Sequence, residues 1–509
     1  MLDGSAEMMQ RRELYPAQSI SRNTVFSLLV QATTTVFTAA TTLFLIRRLG
    51  TESFGTFALA LGISGIAGLV ARCGIPTSVS RFVAENRDDP VGSAALLRDA
   101  LGLIIVTAAL ASSALFLAAE PIASAYSDPG LAWPIRGIAI SLFAESVLAL
   151  YLSLFIALAR IAVNLRVVFL ESAAEATASI ALVAAGTGAA GAAFGRAIGY
   201  TVGVAVAVGI ALTLFGRVSL VARGGSYPRR RRAILRYAAP LFALDTIYGL
   251  LSRLDLLLIG AFLNTTSVGL YGAPRRLMPM LESLALAVAN SVAPRQATSS
   301  AGRSVQAFTR ALRWLVLVYA ALLAPLIVWA GQIVELLFGA DYAESASVLR
   351  LLTPFVFLNG ISPLVSTTVN FLGYAGRRVP IALAALAVNV GIDVALLPRI
   401  GEDAAAIGMS AAFCVYVPAH LYICRRALGF SLRPLATSAF RALTAAAAMA
   451  GVLALTVRVV EFSIGTAALG LAAGLLVYAA VLVATREIAL TDVGRARRVV
   501  GLWLRRRTT

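Results

Sequence analysis

Leu49-Gly50-Thr51-Glu52-Ser53-Phe54-Gly55-Thr56-Phe57 is a stretch the chain writes twice: 214 positions later it reads Leu263-Asn264-Thr265-Thr266-Ser267-Val268-Gly269-Leu270-Tyr271. Leu, Thr, Ser and Gly return in place, and Phe57 returns as another aromatic, Tyr271. The same register pairs Arg22 with Arg236 and Arg81 with Arg295. Farther along each copy, Gly188-x-x-Gly191-Ala192-Ala193 matches Gly401-x-x-Ala404-Ala405-Ala406 at a shift of 213. One register, held with a single residue of slippage, points to a duplication. Long apolar runs lie between the matches. Each copy is therefore expected to be a bundle of membrane helices, and the pair to face a common cavity.

Hydrophobic residues make up 59% of the 509, charged residues only 13%, and the mean hydropathy is +0.85. A soluble chain of this length needs far more charge to cover its surface, so an integral membrane protein is expected. The net charge of +18 comes from arginine alone, since the chain has no lysine. Such basicity could suit nucleic acid, but the arginines sit in short loops and form no continuous basic face with interleaved aromatics. Nucleic acid is not an expected partner. Cys73, Cys414 and Cys424 show no paired or metal-ligand spacing and read as small apolar residues, so neither metal nor cofactor is expected. The first apolar run lacks a cleavage signature and reads as a retained span.

A hydrocarbon core of ~30 Å takes ~20 apolar residues per helix. Runs of that length place about fourteen spans near 23–46, 54–76, 99–119, 134–158, 167–186, 190–215, 237–262, 268–293, 314–337, 348–373, 379–398, 404–424, 434–457 and 463–485. The alternating ~10-residue segments of a membrane β-barrel are missing, so the class is all-α. Six spans fill a first bundle at 23–216 and six a second at 237–427, with two extra spans in 428–485. A polar segment at 1–22, a basic linker at 217–236 and a basic tail at 486–509 complete the chain.

Arg81, Arg87, Arg98, Arg160, Arg166, Arg229 to Arg232, Arg377, Arg378, Arg425 and Arg426 fall in loops on one side. Opposite loops carry Glu120, Asp128, Asp341, Glu344, Glu402 and Asp403. The positive-inside rule then puts both termini in the cytoplasm, and an even span count gives both copies one orientation. The linker and tail can attract anionic membrane lipid at ~1 kcal/mol per arginine, or act only as topology determinants. In the tail, Trp503 and Leu504 would add an interfacial anchor.

Leu45-Ile46-Arg47-Arg48-Leu49-Gly50 followed by Glu52-x-Phe54-Gly55 resembles the first hairpin of polysaccharide flippases. So do Pro240, Asp255-x-x-x-Ile259-Gly260, Val268-Gly269-x-Tyr271 and Leu337-Phe338-Gly339-x-x-Tyr342-x-x-Ser345-Ala346. The chain thus resembles the Wzx-type, O-antigen and exopolysaccharide branch of the multidrug/oligosaccharidyl-lipid/polysaccharide exporter superfamily. That resemblance implies translocation of undecaprenyl-pyrophosphate-linked oligosaccharide across a bacterial cytoplasmic (inner) membrane by alternating access. Polysaccharide polymerase and glycosyltransferases would be working partners. Related lipid II flippases use arginines on spans 1, 2 and 8, which by position implies Arg47 or Arg48, Arg72, and Arg275 or Arg276 as substrate-binding groups here.

Ionisable groups at membrane depth cost ~2.5–3.5 kcal/mol on insertion scales, so each one inside a span needs a partner or a cavity. Asp245, Arg253 and Asp255 fall in span 7, and Arg275, Arg276 and Glu282 in span 8. These six sum to zero, which suits pairing of Asp255 with a span-8 arginine. A remaining guanidinium fork would match a phosphate. Glu171 and Glu175 stand one turn apart on span 5. Asp255, Glu171 and Glu175 are candidates for ion coupling or for structural pairing, the two glutamates most simply with the loop arginines Arg160 and Arg166. Arg196 either lines the cavity mouth or snorkels. Asp393 and His420 read as packed polar groups. Prolines crowd the second copy, so spans 7 and 8 are the expected broken and mobile wall.

Three readings compete with the polysaccharide flippase, and one of them is a lipid II flippase. A cation-coupled multidrug antiporter (MATE-like) would want acidic cavity groups and few arginines. A membrane glycosyltransferase or polymerase would need a carboxylate dyad or a large soluble loop, and no loop exceeds ~25 residues. ATP-driven export lacks its Gly-x-x-x-x-Gly-Lys-Ser/Thr loop. The expectation is a transporter, not an enzyme.

Overall fold

The computed structural model describes residues 20–85, 90–221, 228–292, 301–459 and 463–488. Arg87, Arg223, Arg295, the N-terminal segment to residue 19 and the tail from 489, with Trp503 and Leu504, lie outside the described residues. Helices and the turns joining them account for everything described.

Helix α1 (Ile20–Arg72) runs for 53 residues, ~80 Å at ~1.5 Å per residue and more than twice a hydrocarbon core. It is two spans. They meet at Gly50, whose φ of 72° and ψ of 179° break the helix in a region that glycine enters most cheaply. The equivalent position of the second copy is Asn264, between α9 (Leu254–Phe262) and α10 (Thr265–Arg275). There the Asn264 side chain accepts the Ser267 N–H at 2.9 Å, capping the new helix. A glycine kink and an asparagine cap make the same turn.

The two repeated stretches also touch. A Cβ on Gly55 would lie 1.7 Å from the Thr265 carbonyl oxygen, and one on Gly269 would lie 2.0 Å from that of Thr51. Thr51 and Thr265 are repeat mates, as are Gly55 and Gly269, so this helix crossing is a local pseudo-two-fold contact. At the far end of each copy, Gly188 and Gly401 both take positive φ, 59° and 65°. Ala192, Ala193 and Ala404 to Ala406 beyond them are fully buried.

The chain forms two compact units, one taking residues up to Ala273 with Asp393–Glu402, the other residues 274–392 and those from 403 onward. In the first, α1 is followed by α2 (Ile75–Glu85), α3 (Pro90–Leu117), α4 (Ala119–Ala125), α5 (Ala132–Ala157), α6 (Ile161–Ala184), α7 (Gly188–Val221) and α8 (Pro228–Leu251). Ile75, Val79 and Val83 of α2 join Leu97 and Ile104 of α3, Leu150, Leu154 and Phe155 of α5, and Ile234 of α8 in one apolar core. The close α6–α7 packing has a sequence cause. Gly195, Gly199 and Gly203 present a groove to Ser179, Glu175 and Glu171, and a Cβ on each would lie 2.4, 2.4 and 2.9 Å from those residues. Small residues at this spacing let backbones approach in a medium that supplies no hydrophobic drive.

The second unit holds α11 (Met278–Val292), α12 (Ala301–Val328), α13 (Ala330–Phe338), α14 (Ser345–Leu351), α15 (Thr353–Asn359), α16 (Ser362–Phe371), most of α17 (Arg378–Ile400), α18 (Asp403–Leu428), α19 (Arg433–Val459) and α20 (Ile464–Ala484). Helix α19 lies along α12, and α20 along α19. Pro354 and Pro363 sit at the first turns of α15 and α16, where a missing N–H costs least. Phe440, Leu455, Ile464, Leu469 and Leu476 are exposed, as expected of side chains that meet lipid.

Among the described residues, ten helices are long and apolar enough to cross a membrane, or up to twelve if each bent pair is one span. This differs from fourteen for two reasons. Helix α1 is counted once although it is long enough for two spans, and the segment expected as span 8 is divided into α10 and α11, neither of which is long enough alone.

Candidate functional site

Charges of the first unit are threaded across four helices. Arg72, the last residue of α1, donates to Glu145 of α5 at 2.9 Å. The other Glu145 oxygen lies 3.4 Å from Arg196 of α7. Arg196 in turn donates to Glu175 of α6 at 2.9 Å and to the Tyr200 hydroxyl at 2.9 Å, with its guanidinium 4.6 Å above the Tyr200 ring. Asp245 of α8 is within electrostatic reach of Arg72. Glu175 therefore pairs inside the bundle, with Arg196, rather than with the loop arginines Arg160 and Arg166. Glu171, a turn away, is buried and accepts the Ser172 hydroxyl at 2.9 Å. Arg72 and Glu145 keep about a quarter of their side chains accessible, 26% and 29%, whereas Asp255 and Asp393 are fully buried. An accessible guanidinium at this depth can meet a ligand; a buried carboxylate pair can meet only a small cation or a proton.

Asp255 opens α9 and is placed by two donors. Its own turn supplies the Leu256 N–H at 2.9 Å, and Tyr271 of α10 donates its hydroxyl to the other oxygen. Tyr271 belongs to the second copy of the repeated stretch, so the repeat carries a site residue as well as a turn. Asp393 of α17 lies within electrostatic reach of Asp255, and neither Asp393 oxygen has a hydrogen-bond partner. Asn389, one turn earlier on the same helix, is also fully buried with both amide atoms unpartnered. Beside the break that precedes α9, the Arg253 side chain lies over Gly65, where a Cβ would come within 2.0 Å of its Nε. Among the described residues no three His, Cys, Asp or Glu side chains are grouped to hold a metal.

Arg275 and Arg276 stand at the break between α10 and α11, both partly buried. The Arg275 guanidinium lies 5.1 Å above the Phe355 ring of α15, and Phe355 makes an edge contact at 4.6 Å with Phe413 of α18. Both rings are in the second unit, as is Arg275, so an aromatic platform fixes one face of the guanidinium plane. Tyr416 and His420 continue this aromatic row, 4.1 Å apart, and the His420 Nδ1 meets the Tyr416 carbonyl. Arg47 and Arg48 are exposed, three and two residues before the Gly50 break.

Sequence reasoning passed over Glu145 and Asp393 as site members, and left Arg196 between lining the cavity mouth and snorkelling. The signal was present. Glu145 and Arg196 are opposite charges stranded in the apolar runs of spans 4 and 6, and each is too costly to stay alone. Only the tertiary structure showed that they meet, and that Arg72 completes the row.

A helical membrane bundle with paired charges and a buried carboxylate, Asp393, that lacks a hydrogen-bond partner among the described residues has the build of a secondary transporter. The family of polysaccharide biosynthesis proteins matches residues 20–298, more than half of the sequence, and the chain belongs to that family. A probable low-salt glycan biosynthesis flippase, Agl15 of Haloferax volcanii, is 21% identical over 175 residues, which are 34% of this chain and 37% of that relative. The match spans little more than a third of the relative's length. Among solved structures, the lipid II flippase MurJ in an inward closed conformation aligns with a TM-score of 0.72 at 13% identity, covering 92% of this chain and 99% of that one. An inward-facing multidrug resistance MATE transporter aligns with a TM-score of 0.62 at 15% identity, covering 79% of this chain and 98% of that one. These likenesses show the fold.

Proposed function

We propose that this protein is a flippase that carries a polyprenyl-pyrophosphate-linked oligosaccharide across the bacterial cytoplasmic membrane, from inner to outer leaflet, with both of its own termini in the cytoplasm. The observation that carries the reading is Arg72, a guanidinium at the end of an apolar span that stays partly accessible while paired with Glu145, in a chain of the polysaccharide biosynthesis family. A planar guanidinium matches a phosphate in bidentate fashion. Arg275, braced on Phe355, is a second guanidinium of this kind, and Arg47, Arg48 and Arg276 are proposed as further substrate-binding groups. The apolar tail stays in the bilayer while the head crosses. Glycosyltransferases would supply the substrate and a polymerase would consume it.

Coupling is assigned to Asp255 and Asp393, because two buried carboxylates within electrostatic reach of one another draw in a proton or a small cation. This acidic pair is also the feature that favours the second reading, a MATE-like cation-coupled antiporter. Depletion in cells separates the two. The flippase reading expects lipid-linked oligosaccharide to build up on the inner leaflet, and expects neither Arg72→Ala nor Arg275→Ala to reverse this. Drug sensitivity with no such accumulation would support the antiporter instead.

A further inference from the structure

We propose that Glu145 is an internal counter-anion for Arg72, holding its guanidinium while no substrate is bound and passing to Arg196 when a diphosphate head arrives. This deepens the flippase reading and rests on it: it names the group the substrate must displace and the group that receives it.

The distances set up the exchange. Glu145 is 2.9 Å from Arg72 but 3.4 Å from Arg196, so the second contact has slack to tighten. Arg196 is itself steadied by Glu175 and Tyr200, each at 2.9 Å, and offers a fixed receiving position on α7. The surrounding charges make an exchange necessary. Facing this row are Arg72 from α1, Glu145 from α5, Glu171 and Glu175 from α6, Arg196 and Tyr200 from α7, and Asp245 from α8. Formal carboxylates outnumber guanidiniums by four to two. A diphosphate set beside Arg72 with Glu145 still in place would add like charge to a site already rich in it. Moving Glu145 onto Arg196 vacates the fork and keeps Glu145 and Glu175 paired, while Glu171 keeps the Ser172 hydroxyl. Partial exposure of Arg72 and Glu145 gives the incoming head access to the contact it must replace.

The test uses the full chain in phosphatidylcholine nanodiscs, with inorganic pyrophosphate as the probe. Glu145→Gln removes the competitor, and the expected result is pyrophosphate binding about tenfold tighter, the scale of one charge-assisted contact. Arg196→Gln removes the receiving group and leaves Glu145 on Arg72, so binding should weaken severalfold. The double variant should bind like Glu145→Gln. In transport assays Glu145→Gln should lower KM and kcat together, because release needs the returning carboxylate. Weaker or unchanged binding in Glu145→Gln would mark the pair as merely structural and overturn the inference. Should Glu145→Gln fail to fold, Arg196→Gln decides: unchanged or tighter binding overturns it. Wild-type binding retained by Arg72→Gln, or no binding by the wild type, would overturn the flippase assignment of Arg72 itself.

Discussion

Gly55 and Gly269 are the residues on which the helix crossing of the repeat depends. Neither has room for a methyl group, since the opposing atom in each case is a backbone carbonyl that cannot rotate away. We predict that Gly55→Ala or Gly269→Ala forces the two helices apart at a cost of about 1–3 kcal/mol, the usual penalty of overpacking. Gly62→Ala is the control, because its Cβ would make only ordinary contact, 3.5 Å from Leu257. Thermal unfolding in detergent should show a clear drop in Tm for the first two and almost none for the third; equal drops in all three would refute the crossing. The sequence showed that these glycines correspond, but not that they meet. At the same scale Asp255 was legible as a charge needing a partner, whereas its acceptance of the Tyr271 hydroxyl depends on a turn at Leu263–Asn264 that folds α10 back beside α9.

Breaks in helices were partly visible beforehand. Prolines announced them in α14 to α16, and Pro274 ends α10 beside Arg275 and Arg276. Span 7 was expected to break at Pro240, but the break at Ser252–Arg253 has no proline and its position was not foreseen; Gly65 makes the space that Arg253 occupies there. The two extra spans are held to α12 by contacts that no local pattern reveals. Tyr478 of α20 donates to the Leu317 carbonyl at 2.6 Å. Glu487, just past α20, takes Arg313 of α12 at 2.5 Å and Arg441 of α19 at 3.1 Å. Burial alone would raise the Glu487 carboxyl, but hydrogen bonds from Ser438, Arg313 and Arg441 outweigh it and hold the group below its usual range. A depressed carboxyl stabilises the fold above its unfolded value of ~4.3 and loses that contribution as pH falls through the folded value. Glu487→Gln should therefore cost about 1.5–3 kcal/mol near neutral pH, the range of hydrogen bonds to charged groups. The Tm gap to wild type should close as the pH drops below ~4. A gap unchanged by acid would show that Glu487 is not held as an ion.

For the whole molecule, the proposed cargo sets the energetics. Moving about two negative charges outward across an inside-negative membrane gains ~2.3 kcal/mol per charge per 100 mV. Clamping the potential to zero in proteoliposomes, with the pH gradient intact, should slow turnover; the same rate at zero potential would rule out charge movement as the drive. Asp393→Asn should instead abolish dependence on the ion gradient while leaving dependence on the potential.

Composition and the repeated register were enough to determine an all-helical membrane protein built twice over, because hydropathy and span length act locally and survive without knowledge of neighbours. Which charges meet was a tertiary decision. Arg72, Glu145, Arg196 and Glu175 lie on four different helices, and only their packing in a medium that forbids lone ions joins them into one row.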